Sequence, residues 1–361
     1  MSHETPRRDI LVLAAGLLAG GIATRGIAAP VLAPPTGTIE LFPSEITATI
    51  AGPAEGGLDF WAGRVLTALG RTLPPGTRLR PVTVGAADGV TGANQFEVRT
   101  DPDGASLMLA PGAAALAWLV GDPRAKFDIG HWMPLMTGVS SSVMVFRDGV
   151  LPGAAGQELR VATRSVAGSD LAGLLAVELL GARPIPVLLQ PGESGMQAVE
   201  TGRADALLLR GRAALKTIDG GPQPVFMLPA FTLGDRNERG VRVRDSALSH
   251  LPHFAEYFSR ARGHLPSGPL YQAWQAVAAA AQLEFAAVLP QLTPAAMVAL
   301  WRRAGDEATQ SNELRAAAGT MAVRVTGGIA STSAMAEAIA DTASLLELRR
   351  WLGTRLGYHP S

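Results

Sequence analysis

Two short stretches combine glycines with an acid in the way an anion-binding turn would. Residues 51–59 read Ala51-Gly52-Pro53-Ala54-Glu55-Gly56-Gly57-Leu58-Asp59, and residues 85–91 read Gly85-Ala86-Ala87-Asp88-Gly89-Val90-Thr91. Glycine lets backbone N–H groups approach a ligand closely, and a helix opening just after such a turn adds partial positive charge. Several such donors can replace the water that a small carboxylate loses on burial. A third stretch, Arg164-Ser165-Val166-Ala167-Gly168-Ser169-Asp170, offers a guanidinium, two hydroxyls and a carboxylate, and Arg210 at the exit of a later strand offers another cation. Glu55 and Asp88 act against an anion, because a like charge at ~4 Å costs about 4 kcal/mol at an effective dielectric of roughly 20. If both acids point inward, a cationic, zwitterionic or hydroxyl-rich ligand fits better. If both point outward, only their N–H groups face the cleft. Asp59 either stabilises the first turn of a helix or touches the ligand. Thr91, Ser165 and Ser169 are hydroxyl donors or helix caps.

Other residues that suggest chemistry fall short of it. Gly192-Glu193-Ser194-Gly195-Met196 approximates the G-x-S-x-G turn of serine hydrolases but ends in methionine. His250-Leu251-Pro252-His253 carries a proline that spoils helical spacing of metal ligands. There is no G-x-x-x-x-G-K-[ST] and no G-x-G-x-x-G after a strand, so no nucleotide cradle is indicated. The chain lacks cysteine, which removes thiol catalysis, disulfides, Cys-ligated zinc and iron–sulfur clusters. Its 31 basic and 31 acidic residues balance, so no nucleic acid is held by bulk charge. The expectation is a binding protein for a small molecule, with no enzymatic activity, cofactor or metal.

The elements that must position these residues alternate. With 361 residues, 47% of them apolar and 17% charged, the chain can build two cored domains and is not disordered in bulk. Residues 1–29 combine Arg7-Arg8, a short uncharged apolar run from Ile10 to Gly21 and an A-x-A-like end, which predicts a cleaved signal peptide of twin-arginine type and a periplasmic location. Residues 30–45 read as a leader. Strands are predicted over 46–50, 79–84, 106–109, 143–146, 159–163, 186–189 and 204–209. Helices are predicted over 58–73, 90–98, 113–120, 171–180, 196–201 and 269–282, followed by a largely helical tail over 292–351. Strand–helix alternation in two halves predicts an α/β fold with a ligand cleft beyond the carboxyl ends of the strands.

The order of these segments resembles the periplasmic substrate-binding proteins of tripartite tricarboxylate transporters. The first loop with its following Phe60-Trp61-Ala62 is similar to that family's P-F/Y-x-x-G-G-x-x-D opening. The second, continued by Gly92-Ala93, is similar to its P-G-A-G-G-x-x-G-A loop. Pro102-Asp103-Gly104, Gly168-Ser169-Asp170-Leu171-Ala172-Gly173, Gly202-Arg203-Ala204-Asp205 and Leu292-Thr293-Pro294 resemble further family segments, with Asp170 where the family has histidine. The likeness is weak over about 220–280. It implies a two-lobed periplasmic-binding-protein fold of type II, each lobe a mixed, mainly parallel sheet flanked by helices. Lobe 1 would hold 46–142 and 283–361, and lobe 2 would hold 143–282. It further implies a monomer that captures a small organic acid by closure of the lobes and presents it to membrane permease subunits. The ligand would be held by Glu55, Gly56, Gly57, Asp59, Asp88, Gly89, Thr91, Arg164, Ser165, Ser169 and Asp170. A periplasmic ligand sensor and a diverged member binding a non-carboxylate ligand are the alternative readings.

Overall fold

A computed structural model describes residues 42–150, 156–221, 224–237 and 241–359. The signal peptide expected over 1–29 and nearly all of the leader over 30–45 lie outside the described residues.

Strand β1 (Glu45–Ile50) leads through the first glycine loop into helix α1 (Gly57–Thr72). The apolar spacing of α1 buries Trp61, Val65, Leu66 and Leu69 on one face, and Leu73 leaves the helix in extended geometry before Pro74 and Pro75. Then come β2 (Arg78–Thr83), α2 (Val90–Arg99), β3 (Ser106–Ala110) and α3 (Gly112–Val120). β4 (Met133–Ser140) passes through Ser141 directly into β5 (Ser142–Arg147), which belongs to the other lobe. That lobe continues with β6 (Glu158–Thr163), α4 (Leu171–Leu179), β7 (Arg183–Leu188), α5 (Gly195–Glu200), β8 (Ala206–Arg210), α6 (Gly211–Ile218) and β9 (Met227–Thr232). A short ribbon, β10 (Asp235–Arg236) with β11 (Arg242–Val243), precedes α7 (Phe254–Arg262) and α8 (Pro269–Gln282). β12 (Leu283–Leu289) returns to the first lobe, followed by α9 (Ala295–Ala308), α10 (Asn312–Met321), β13 (Val323–Gly327), α11 (Gly328–Glu337) and α12 (Thr342–Leu356).

The first sheet has the order β13-β4-β12-β3-β1-β2 and the second β7-β6-β8-β5-β9. Both are mixed, with fewer parallel pairings than the strand–helix alternation predicts. Parallel pairing is confined to β1 with β2 and β3, and to β6 with β7 and β8, where a helix connects the strands. β12 runs antiparallel to both its neighbours, as does β5, and each enters its sheet where the chain crosses from the other lobe. Most strand prolines sit on edge strands, where a missing N–H is harmless (Pro81 in β2, Pro184 and Pro186 in β7, Pro229 in β9), while Pro134 lies near the start of interior strand β4.

The lobes share one hydrophobic core. Met108 and Leu116 of the first lobe and Leu174 and Phe231 of the second belong to the same buried cluster as Trp274 of α8. α8 packs on α3 and α12 and also on α4, and the Trp274 indole N–H donates to Ala172 O at 3.0 Å. Its alanines permit this close approach on several sides; Ala276 and Ala278 to Ala281 are all buried. Sequence reading placed α8 in the second lobe, whereas in space it bolts the two together. Behind it, buried Arg242 donates to Leu233 O (2.6 Å) and Gln275 O (3.1 Å) and reaches Glu337 of α11 at 3.4 Å. Arg236–Glu337 and Arg324–Asp235 are further ion pairs between the ribbon and the first lobe.

Candidate functional site

The site begins with two helix starts that no side chain caps. α1 opens behind Gly56, whose φ of +127° and ψ of −167° belong to a region open essentially to glycine alone. α3 opens behind Pro111, also uncapped. The first N–H groups of each helix have no intrahelical acceptor and carry the positive end of the helix dipole. Both starts line one cavity of about 270 Å³, together with Glu55, the last residues of α8, Glu284, and Ser169 and Arg210 from the second lobe. A cavity of about 350 Å³ adjoins it and shares Ser169 and Arg210; Arg164, Asp170 and Ser194 also line it. The first hollow is walled by both lobes and forms the interlobe cleft; the second, walled by second-lobe residues alone, meets it at Ser169 and Arg210.

The charges in this cleft are unevenly partnered. Arg210, at the end of β8, donates from Nη2 to Glu284 Oε1 at 3.2 Å, and its Nε is buried without a hydrogen-bond partner. Glu284 reaches the cleft because the β12–β4 register slips between Leu283 and Phe285, a bulge that re-aims the intervening side chain. Glu55 is exposed and has no ion-pair partner among the described residues. Asp170 is buried, and desolvation pushes its carboxyl above the usual carboxylate range, against the Arg164 backbone N–H at 2.7 Å and the nearby charges of Arg210 and Arg164. Asp170 therefore shapes the Arg164 turn as well as lining the cleft.

Of the residues singled out from sequence, the structure brings Glu55, Gly56, Gly57 and Ser169 to the first cavity and Arg164, Ser169 and Asp170 to the second. Asp88, Gly89, Thr91, Asp59 and Ser165 line neither. The Asp88 carboxylate accepts from Val90 N (3.2 Å) and pairs with Arg124 (2.9 Å), so it turns away from the cleft. Gly89, at φ +72°, lies under Pro111, and an added Cβ would stand 2.6 Å from the proline ring and 3.1 Å from Ala51 O. The second glycine loop thus contributes only Ala87 to the cavity and otherwise buttresses the start of α3. Thr91 is exposed on α2, Asp59 occupies the first turn of α1, and the Ser165 hydroxyl accepts from Ala167 N at 3.3 Å.

Sequence reasoning passed over Pro111-Gly112 and Glu284. The first repeats the strand–glycine–helix syntax of the two loops it did select, and could have been found by it. Glu284 had no local signal, since a bulge depends on pairing with a strand far away in sequence. The near-motifs also find roles in the fold. Ser194 caps α5, its hydroxyl accepting from Gln197 N at 3.2 Å. At the start of α7 the His253 backbone N–H donates to the Glu256 carboxylate at 3.3 Å, and His250 lies 3.7 Å from Asp219. Among the described residues, no group of three or more His, Asp or Glu is placed to hold a metal ion.

Comparison with solved structures agrees with this architecture. The chain has the fold of a TctC solute-binding protein from Polaromonas, with a TM-score of 0.62 at 15% identity over 86% of this chain and 98% of that one. It is also similar to a structure described as a periplasmic transporter (TM-score 0.50, 15% identity, 85% and 94% covered). The protein Rpa4515 of R. palustris, solved with adipate, is similar as well (TM-score 0.50, 12% identity, 86% and 97% covered). No sequence-family model and no curated protein matches the chain. The fold the chain takes is therefore that of the TctC solute-binding protein, two α/β lobes with a hollow walled by both. Among the described residues no helix is long and apolar enough to cross a membrane.

Proposed function

We infer that this chain is a periplasmic solute-binding protein without enzymatic activity, which takes a small organic acid into the interlobe cleft. Delivery to membrane permease subunits of the tripartite tricarboxylate type is part of the same reading, as is export on a twin-arginine signal over residues 1–29. The observation that carries it is the first cavity. Two uncapped helix starts, at Gly56–Gly57 and Pro111–Gly112, open into the same hollow as the Ser169 and Arg210 residues of the other lobe. Convergent N–H groups and a guanidinium with an unused Nε can together replace the hydration of one carboxylate. The adipate named with the R. palustris protein supports an acid of that size class here.

The experiment is a thermal-shift screen of the chain against small organic acids, followed by calorimetric titration of the hits. An acid present at 100 times its Kd is expected to add about 2.7 kcal/mol and raise Tm by several degrees. Arg210→Met is expected to weaken that acid at least about tenfold, since the charge-assisted bond is lost. A screen in which no acid shifts Tm overturns the reading.

A further inference from the structure

We propose that the cleft selects a small acid that also carries an ammonium group, an amino-acid-like zwitterion, over a simple monoacid or a diacid. The inference rests on the acid-binding reading above and specifies its ligand. The first cavity holds one guanidinium, Arg210, but two carboxylates, Glu55 and Glu284. Arg210 is shared with Glu284 at 3.2 Å, which leaves Glu55 without an ion-pair partner among the described residues. The last turn of α8 lines the same wall through Ala280 and Ala281, with no basic residue in that turn. A helix C-terminus presents carbonyl oxygens and the negative end of the dipole.

The cavity thus brings together the N–H groups at the starts of α1 and α3, with Glu55 beside the first of them, and a negative end at Glu284 and the end of α8. The two lie side by side. The start of α3 abuts the end of α8 so closely that a Cβ added at Gly112 would overlap Ala280 O and stand 2.6 Å from Leu283 O. Neighbouring ends of opposite sign suit a ligand whose carboxylate and ammonium are only a few bonds apart. A diacid would bring two negative charges to a cavity whose side chains already sum to one excess negative charge, and a plain monoacid would leave Glu55 facing only its apolar part.

The test titrates the full chain with three matched probe sets: alanine, β-alanine and leucine; propionate and isocaproate; succinate and adipate. The tightest amino acid is expected to bind at least about tenfold more strongly than the best probe of either other set. Glu55→Gln is expected to weaken that amino acid about fivefold and to leave the monoacids unchanged or tighter, and Glu55→Lys to shift preference toward the diacids. Glu55 is on an exposed loop, and an unchanged apo Tm confirms that the variants are folded. If a diacid or monoacid equals or exceeds the amino acids, the zwitterion proposal falls while acid binding stands. If Glu55→Gln leaves the selectivity intact, the assignment to Glu55 falls. If no probe of any set binds at millimolar concentration, both this proposal and the acid-binding reading fall.

Discussion

Asp170 shows how one side chain serves both the fold and the cleft. Its carboxylate oxygen accepts the Arg164 backbone N–H at 2.7 Å, which fixes the turn that presents Arg164 and Ser169. Burial raises its folded pKa above the unfolded value. The native state then keeps the proton to higher pH than the unfolded chain does. The associated stability is full below the unfolded pKa, about 3.9, and is lost as pH rises through the raised folded value. Asp170→Asn retains the acceptor for Arg164 but cannot ionise. It is expected to raise Tm at neutral pH, with the gain vanishing toward about pH 4; a melting series across that range checks it, and a variant that tracks the parent at every pH contradicts it. Asp205 behaves in the opposite way. Burial opposes its ionisation, yet hydrogen bonds from Arg160, and from Arg147 at 2.7 Å, hold its carboxyl below the usual range. The Gly202-Arg203-Ala204-Asp205 segment that resembled a family motif is thus a strand-entry clamp on β8, not a ligand contact.

Helix ends decide the geometry of the cleft, and their placement depends on how closely helices approach. α3 can start against the end of α8 only because residue 112 has no side chain. Gly112→Ala must push the two ends apart. It is expected to cost about 1–3 kcal/mol in a denaturant melt and to weaken ligand binding, because the α3 donors move with the helix. A melt unchanged from the parent would mean that the junction has slack. The same logic explains why the second glycine loop misled a reading by composition. Gly85 and Gly89 resemble a ligand cradle, but Gly89 is small so that Pro111 can sit on it. What the loop positions is a third helix end, and that end meets the cavity.

The two lobes are expected to behave as one cooperative unit. Their hydrophobic clusters merge across α8, and the Arg242, Arg236 and Arg324 ion pairs tie the β10–β11 ribbon to the first lobe. Differential scanning calorimetry of the chain is expected to show a single transition, and Trp274→Ala, which empties the shared core and removes the 3.0 Å bond to Ala172, is expected to cost about 3–5 kcal/mol. Two resolved transitions in the parent protein would show that the lobes melt independently and that α8 is not a bolt. Any closure on the ligand must then come from bending near Ser140–Ser142 and Gln282–Leu283, where the chain crosses between sheets, rather than from free rotation of separate bodies.

Local patterns in the chain specify much of this. The 3.6-residue spacing of α1, the β-branched run of β1 and the glycines at φ above zero are decisions made within a few residues, so β1 through α3 and β6 through β8 are legible without coordinates. The loop at Gly56–Gly57 belongs to that category too. β4 and β13 were not legible, because they pair with strands far away in the chain, nor was the ribbon, whose two-residue strands are too short to show an alternation. Nor was the pairing of Arg210 with Glu284, which are 74 residues apart and meet only when β8 and a bulged β12 bring them to one cavity. Short-range sterics and periodicity are written in consecutive residues; which charges share a cleft is set by packing between segments that have no information about one another until the chain has folded.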